Sequence, residues 1–130
     1  MEILLPKGWP RPSGYSNGIV ADGKFVFIAG QIGWDKNQKF KSTKMSEQFE
    51  QVLVNTLSIL EEAGGKPDHI VRMCWFVTSR QEYLDSGAEI GRIYREKMGT
   101  HYPAMSVVEV SALIEEKAVL EIETTAVLPS

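Results

Sequence analysis

The stretch Tyr102-Pro103-Ala104-Met105-Ser106-Val107-Val108-Glu109-Val110, resumed after a short break as Leu120-Glu121-Ile122-Glu123, reads as two β-strands with carboxylates set among β-branched residues. Strands of this composition build a core, and a carboxylate has no place in a core without a partner or a task. Side chains alternate along a strand, so Glu121 and Glu123 share one face and Ile122 takes the other. The last third is read as a strand from Ala104 to Ser111 and another from Lys117 to Leu128, joined by the acidic turn Ile114-Glu115-Glu116.

Working outward, Ile70-Val71-Arg72-Met73-Cys74-Trp75-Phe76-Val77 reads as a strand covered on both faces, because it is apolar on both after Arg72. Two helices flank it. The first starts near Ser42 or Thr43 and carries an apolar stripe of Met45, Phe49, Val52, Leu53, Leu57 and Leu60. Gly64-Gly65 stops it and Pro67 prevents its return. The second opens on the capping box Ser79-Arg80-Gln81-Glu82 and runs to Met98, with Gly99 at the stop. Gly87 and Gly91 inside it each cost about 1 kcal/mol relative to alanine, which predicts close packing of this helix on the sheet.

At the N-terminal end, residues 6–18 mix proline and glycine with Trp9, Arg11 and Tyr15, the composition of an irregular arm that lies on its own sheet or lines a pocket. Then Ile19-Val20-Ala21 and Phe25-Val26-Phe27-Ile28-Ala29, separated by Asp22-Gly23, predict a tight hairpin. Gly30, in the continuation Gly30-Gln31-Ile32, predicts a bulge or a close backbone approach. The order is ββαβαββ in one domain, residues 1–130: an α+β fold with one mixed sheet and both helices on one face. A bare apolar sheet face predicts association with further copies, the sheets facing inward.

Bulk properties narrow the function. With 130 residues, 43% apolar and 24% charged, the chain is an ordinary globular one. A net charge of −3 and a pI near 5.4 argue against a nucleic-acid surface, and no basic aromatic groove is visible for a ribonuclease. No apolar run approaches the ~20 residues of a membrane span. The single Cys74 excludes an internal disulfide, fits the reducing cytoplasm, and is read as buried and inert. His69 and His101 lack metal-ligand spacing, so no metal is expected, and no phosphate loop or Ser-His-Asp arrangement is present.

Several motifs in order resemble the Rid family (reactive intermediate deaminases, YjgF-like, in older labels endoribonuclease L-PSP). They are Gly14-Tyr15-Ser16-Asn17-Gly18, Ala29-Gly30-Gln31-Ile32, Asn55-Thr56-Leu57 with Ala63-Gly64, Ile70-Val71-Arg72 with Phe76-Val77, Tyr102-Pro103-Ala104 with Ser106 to Val110, and Glu121-Ile122-Glu123. The resemblance covers nearly the whole chain. It implies a chorismate-mutase-like fold, a homotrimer with small-molecule pockets in the clefts between subunits, and no cofactor. It implies hydrolysis of a 2-imino or enamine acid to a 2-oxo acid and ammonia. Carried over, Tyr15, Gly30, Gln31 and Val107 are substrate-binding positions and Glu121 is the catalytic carboxylate that places or activates water. The family's carboxylate-clamping arginine falls at Met105, the helix asparagine at Ala88, and the proline of the penultimate strand at Ile114.

Methionine offers no donor, so losing a bidentate clamp costs ~3–5 kcal/mol of substrate binding. Two responses are open: a different ligand lined by Met105, or another cation moved in, with Arg11 and Arg80 as candidates. The functional readings are a deaminase-like hydrolase with an atypical substrate, or a trimer that binds a small metabolite without catalysis. Glu121 is read as a site group or an interface carboxylate, and Glu109 as a structural or interface group.

Overall fold

The computed structural model describes residues 1–130. In chain order the elements are β1 (Glu2–Leu4), β2 (Gly18–Val20), β3 (Lys24–Ile32), α1 (Met45–Glu62), β4 (Ile70–Val77), α2 (Arg80–Asp85), α3 (Gly87–Met98), β5 (Ala104–Glu109) and β6 (Leu120–Leu128). β6 is the strand on which the sheet assembles. Leu120, Ile122, Thr124 and Ala126 are buried, Glu121 and Thr125 half-buried and Glu123 exposed, the alternation of a strand with one covered face, until Val127 and Leu128 at its end are both buried.

β6 pairs antiparallel with β3 on one side and β4 on the other, and β5 adds parallel to β4, giving the order β3-β6-β4-β5. The expected α+β mixed sheet is present, and its helices share one face. α1 packs on β3 and β6, and α3 packs on α1. The core joins Met45, Phe49, Val52, Leu53 and Leu60 of α1 to Met73, Trp75, Leu120 and Ile122 of the sheet and Ile90, Ile93 and Tyr94 of α3. Each large apolar side chain fully buried there contributes about 1.5–3 kcal/mol.

Both expected hairpins are absent. β2 pairs with β1, not β3, in a separate two-stranded sheet. The Asp22-Gly23 turn instead delivers β3 to the end of β6: Gly23 has φ +146°, and a Cβ there would lie 1.9 Å from the Leu128 carbonyl oxygen. β5 and β6 are likewise not neighbours, because β4 lies between them. A crossover through α2 and α3 places β5 parallel to β4, and the chain then passes over β4 to reach β6.

Four local expectations also change. The second helix breaks at Ser86, where two poor helix formers, Ser86 and Gly87, meet. The first helix begins at Met45, preceded by Lys44, which offers no side-chain cap, and the Met45 N–H donates to Glu82 Oε1 at 3.2 Å. Only half of the capping box survives: the Glu82 N–H donates to Ser79 Oγ at 3.0 Å, while the Glu82 carboxylate serves α1. And β4 is covered on one face only. Met73, Trp75 and Val77 are buried under the helices, whereas Cys74 and Phe76 are half-buried on the open side. Cys74 is therefore not a core thiol within one chain.

The open face carries Phe25 and Phe27 of β3, which are 59% and 77% exposed, with their rings 5.9 Å apart. Buried Gln48 ties the elements together from the other side. Its Nε2 donates to the Ser42 and Lys117 carbonyls at 2.9 and 2.8 Å, and its Oε1 accepts from the Val119 N–H at 2.9 Å.

Candidate functional site

The N-terminal arm crosses to the edge of β5. The Ser16 N–H donates to the Pro103 carbonyl at 3.0 Å, the Ser16 hydroxyl donates to the Tyr102 carbonyl, and Ser16 bridges to Ala104 in parallel register. This lays Tyr15 beside Met105. Between the arm, β5 and helices α2 and α3 lies a cleft of about 540 Å³ lined by Tyr15, Met105 and Val107 together with Trp75, Tyr83, Tyr94 and Arg95. The arm thus lines a pocket rather than merely covering the sheet.

Aromatic packing holds the wall. Trp75 stacks on Phe49 with centroids 4.9 Å apart and meets Tyr83 edge-on at 6.0 Å. Tyr94 stacks on Tyr102 at 5.1 Å and donates its hydroxyl to the His101 carbonyl. Burial pushes the Tyr83 and Tyr94 phenols above their ordinary range, so both are neutral donors at physiological pH. The buried indole N–H of Trp75 has no acceptor.

Gly87 and Gly91 also line the cleft and do not pack on the sheet. No atom lies within 4 Å of a Cβ built on Gly87, and on Gly91 the nearest is the Arg95 guanidinium, at 3.2 Å. The glycines lower the wall and seat the guanidinium four residues on, a neighbour on the same helix face.

Glu121, Gly30 and Gln31 lie elsewhere. Cα register places Glu121 beside Phe76, which pairs with Val108, and places Ile122 beside Trp75, which pairs with Val107. Directly paired residues share a face. Glu121 therefore stands on the open face, and Met105 and Val107 stand on the helix face two strands away. Glu121 rests on the bare backbone of Gly30, at a register shift between Ile28 and Gln31, so Gly30 marks both a bulge and a close approach. Gln31 Nε2 donates to the Ala29 carbonyl at 3.1 Å, and the residue lines a shallower groove with Trp34 and Asn55. Asn55 anchors that end of β3 through donation to the Ile32 and Trp34 carbonyls at 3.2 and 2.8 Å.

The model of the family described as Endoribonuclease L-PSP matches residues 10–128. The chain belongs to the Rid, or endoribonuclease L-PSP, family. A RutC family protein of Pyrococcus horikoshii is 34% identical over 127 residues, 96% of either chain. The mitochondrial protein MMF1 of Saccharomyces cerevisiae is 33% identical over 104 residues, covering 80% of this chain and 68% of that one. A solved structure of a Rid family protein of unknown function from Yersinia pestis, YyfB, superposes with a TM-score of 0.85 at 29% identity and covers 98% of both chains.

Within this Rid chain, one subunit brings Tyr15, Met105 and Val107 together and holds Gly30 and Glu121 apart from them. Neither substitute cation expected from the sequence enters the cleft. Arg11 lies in a neighbouring groove with His101 and Tyr102, and Arg80 presents its backbone N–H to Glu109 Oε1 at 2.6 Å. That bond makes Glu109 a cap on α2, the structural role expected of it. The cation in the cleft is Arg95. Its sequence signal was the Gly91-to-Arg95 spacing of four on the pocket side of α3. No helix is long and apolar enough to cross a membrane.

Proposed function

We propose that the protein is a Rid-family small-molecule hydrolase, deaminase-like, acting on an imine, an enamine or a related reactive metabolite in clefts between subunits of a homotrimer. The observation that carries this reading is the division of the site. Tyr15, Met105 and Val107 line a cleft on the helix face, and Glu121 stands two strands away on the open face. One chain cannot bring the carboxylate to the cleft, whereas a neighbour presenting its open face can. The uncovered Phe25 and Phe27 support burial of that face between copies.

In the assembled site Glu121 acts as general base. Ion pairs in the chain join Lys41 to Asp35, Lys44 to Glu89 and Arg92 to Glu96, and none neutralises Glu121. Its carboxylate takes a proton from water as the oxygen adds to the imine carbon. The resulting carbinolamine is protonated on nitrogen, the C–N bond breaks, ammonia leaves and the carbonyl forms; an enamine first tautomerises to the imine. No step needs a redox partner. Met105 in place of the clamping arginine makes the substrate atypical. Imines generated in situ from a panel of amino acids and neutral amines, followed by ammonia release, test this. Glu121→Gln should lower turnover about 10²–10⁴-fold, and unchanged turnover removes the catalytic role.

The second reading is a trimer that binds a small metabolite without catalysis. Met105, an apolar and adaptable side chain among aromatic rings, favours it. It is selected if a ligand of the cleft is found that neither the native protein nor Met105→Arg converts.

A further inference from the structure

We propose that Arg95 makes the cleft an anion site, holding the carboxylate of a small apolar or aromatic acid from the helix wall, opposite the β5 edge. The inference rests on reading this cleft as the ligand site and names the class of ligand it takes. Arg95 lines the cleft with Met105, Tyr83 and Tyr15. The other arginine of α3, Arg92, is engaged by Glu96 at 2.8 Å, whereas Arg95 takes part in none of the ion pairs of the chain. Its guanidinium is folded back over Gly91, where it stands 3.2 Å from the place of a Cβ, and so lies along the cleft wall. No acidic side chain lines the cleft, so nothing there competes with an incoming anion. A guanidinium fork among aromatic rings fits a carboxylate attached to an apolar body. Met105, lining the same cleft from β5, then packs on that body.

Benzoate and its uncharged amide, benzamide, serve as probes. Binding is followed by the methyl resonance of Met105 in methionine-labelled protein, assigned through Met105→Leu. Benzoate is expected to shift that resonance and to bind about tenfold or more tightly than benzamide. Arg95→Gln should weaken benzoate far more than benzamide and so abolish the preference, Arg95→Lys should retain part of it, and Arg11→Gln and Arg80→Gln should retain it all. If benzoate and benzamide bind the native protein equally, or if Arg95→Gln keeps the preference, the anion site is refuted and the cleft remains a ligand site. If neither probe moves Met105, both readings fall.

Discussion

The Glu121 carboxylate occupies the space that a side chain on Gly30 would need: a Cβ there would stand 2.2 Å from Oε2. The two residues therefore form a unit at the bulge of β3 against β6. Gly30→Ala should destabilise by about 1–3 kcal/mol through overcrowding. Most of that should vanish when Glu121 is shortened to alanine. A double-mutant cycle by urea denaturation at fixed protein concentration should give a coupling of roughly 0.5–3 kcal/mol. Strict additivity would show that the residues do not touch.

The open face offers a second test. Phe27, the more exposed of its two phenylalanines, should be buried on assembly. Phe27→Glu should convert the oligomer to a monomer by light scattering at micromolar concentration, with the far-ultraviolet spectrum of one chain retained. A native protein already monomeric under those conditions would defeat the proposed assembly.

Gly87→Ala should stabilise the chain by about 0.4–1 kcal/mol, since alanine restricts the unfolded backbone and meets open space in the fold. Had this glycine served close packing on the sheet, the same change would be costly. Thermal melting of the variant decides between the two.

Alkaline pH should loosen the α3–β5 region. Burial, reinforced by Tyr102, holds the Tyr94 phenol above its ordinary range, so the folded chain keeps a proton that the unfolded chain releases near pH 10. Stability from this group is complete below about pH 10 and falls as pH rises beyond it, by up to about 1.4 kcal/mol per pH unit for one proton. Tyr94→Phe should flatten that part of the pH profile. At neutral pH it should cost about 1 kcal/mol for the lost bond to the His101 carbonyl. Urea melts between pH 8 and 11 would reveal an unchanged slope if Tyr94 is not responsible.

What could be read without coordinates was local. The spacing from Met45 to Leu60 specifies an amphipathic helix, because a 3.6-residue period has one apolar face to bury. The alternation around Ile122 specifies a strand with one covered face, and Gly30 in a strand specifies an irregularity, observed as the bulge. The family motifs were legible as well, and they brought Tyr15, Met105 and Val107 into one list, which the fold brings into one cleft.

Partnership between strands was not legible. Asp22-Gly23 is a good turn whether the chain returns to β2 or moves to a new sheet, and three exposed residues, Glu2 to Leu4, carry too little pattern to announce a partner for β2. The same holds for Arg95, one charge among many until the helix seats it over Gly91 in the cleft that Met105 also lines. The sequence by itself determined the elements and the residue types available for chemistry, because periodicity and turn preference act over a few neighbours. Only the tertiary structure decided that β4 separates β5 from β6, that Glu121 and Met105 fall on opposite faces, and that the guanidinium lining the cleft is Arg95, because each depends on how segments distant in the chain are brought together.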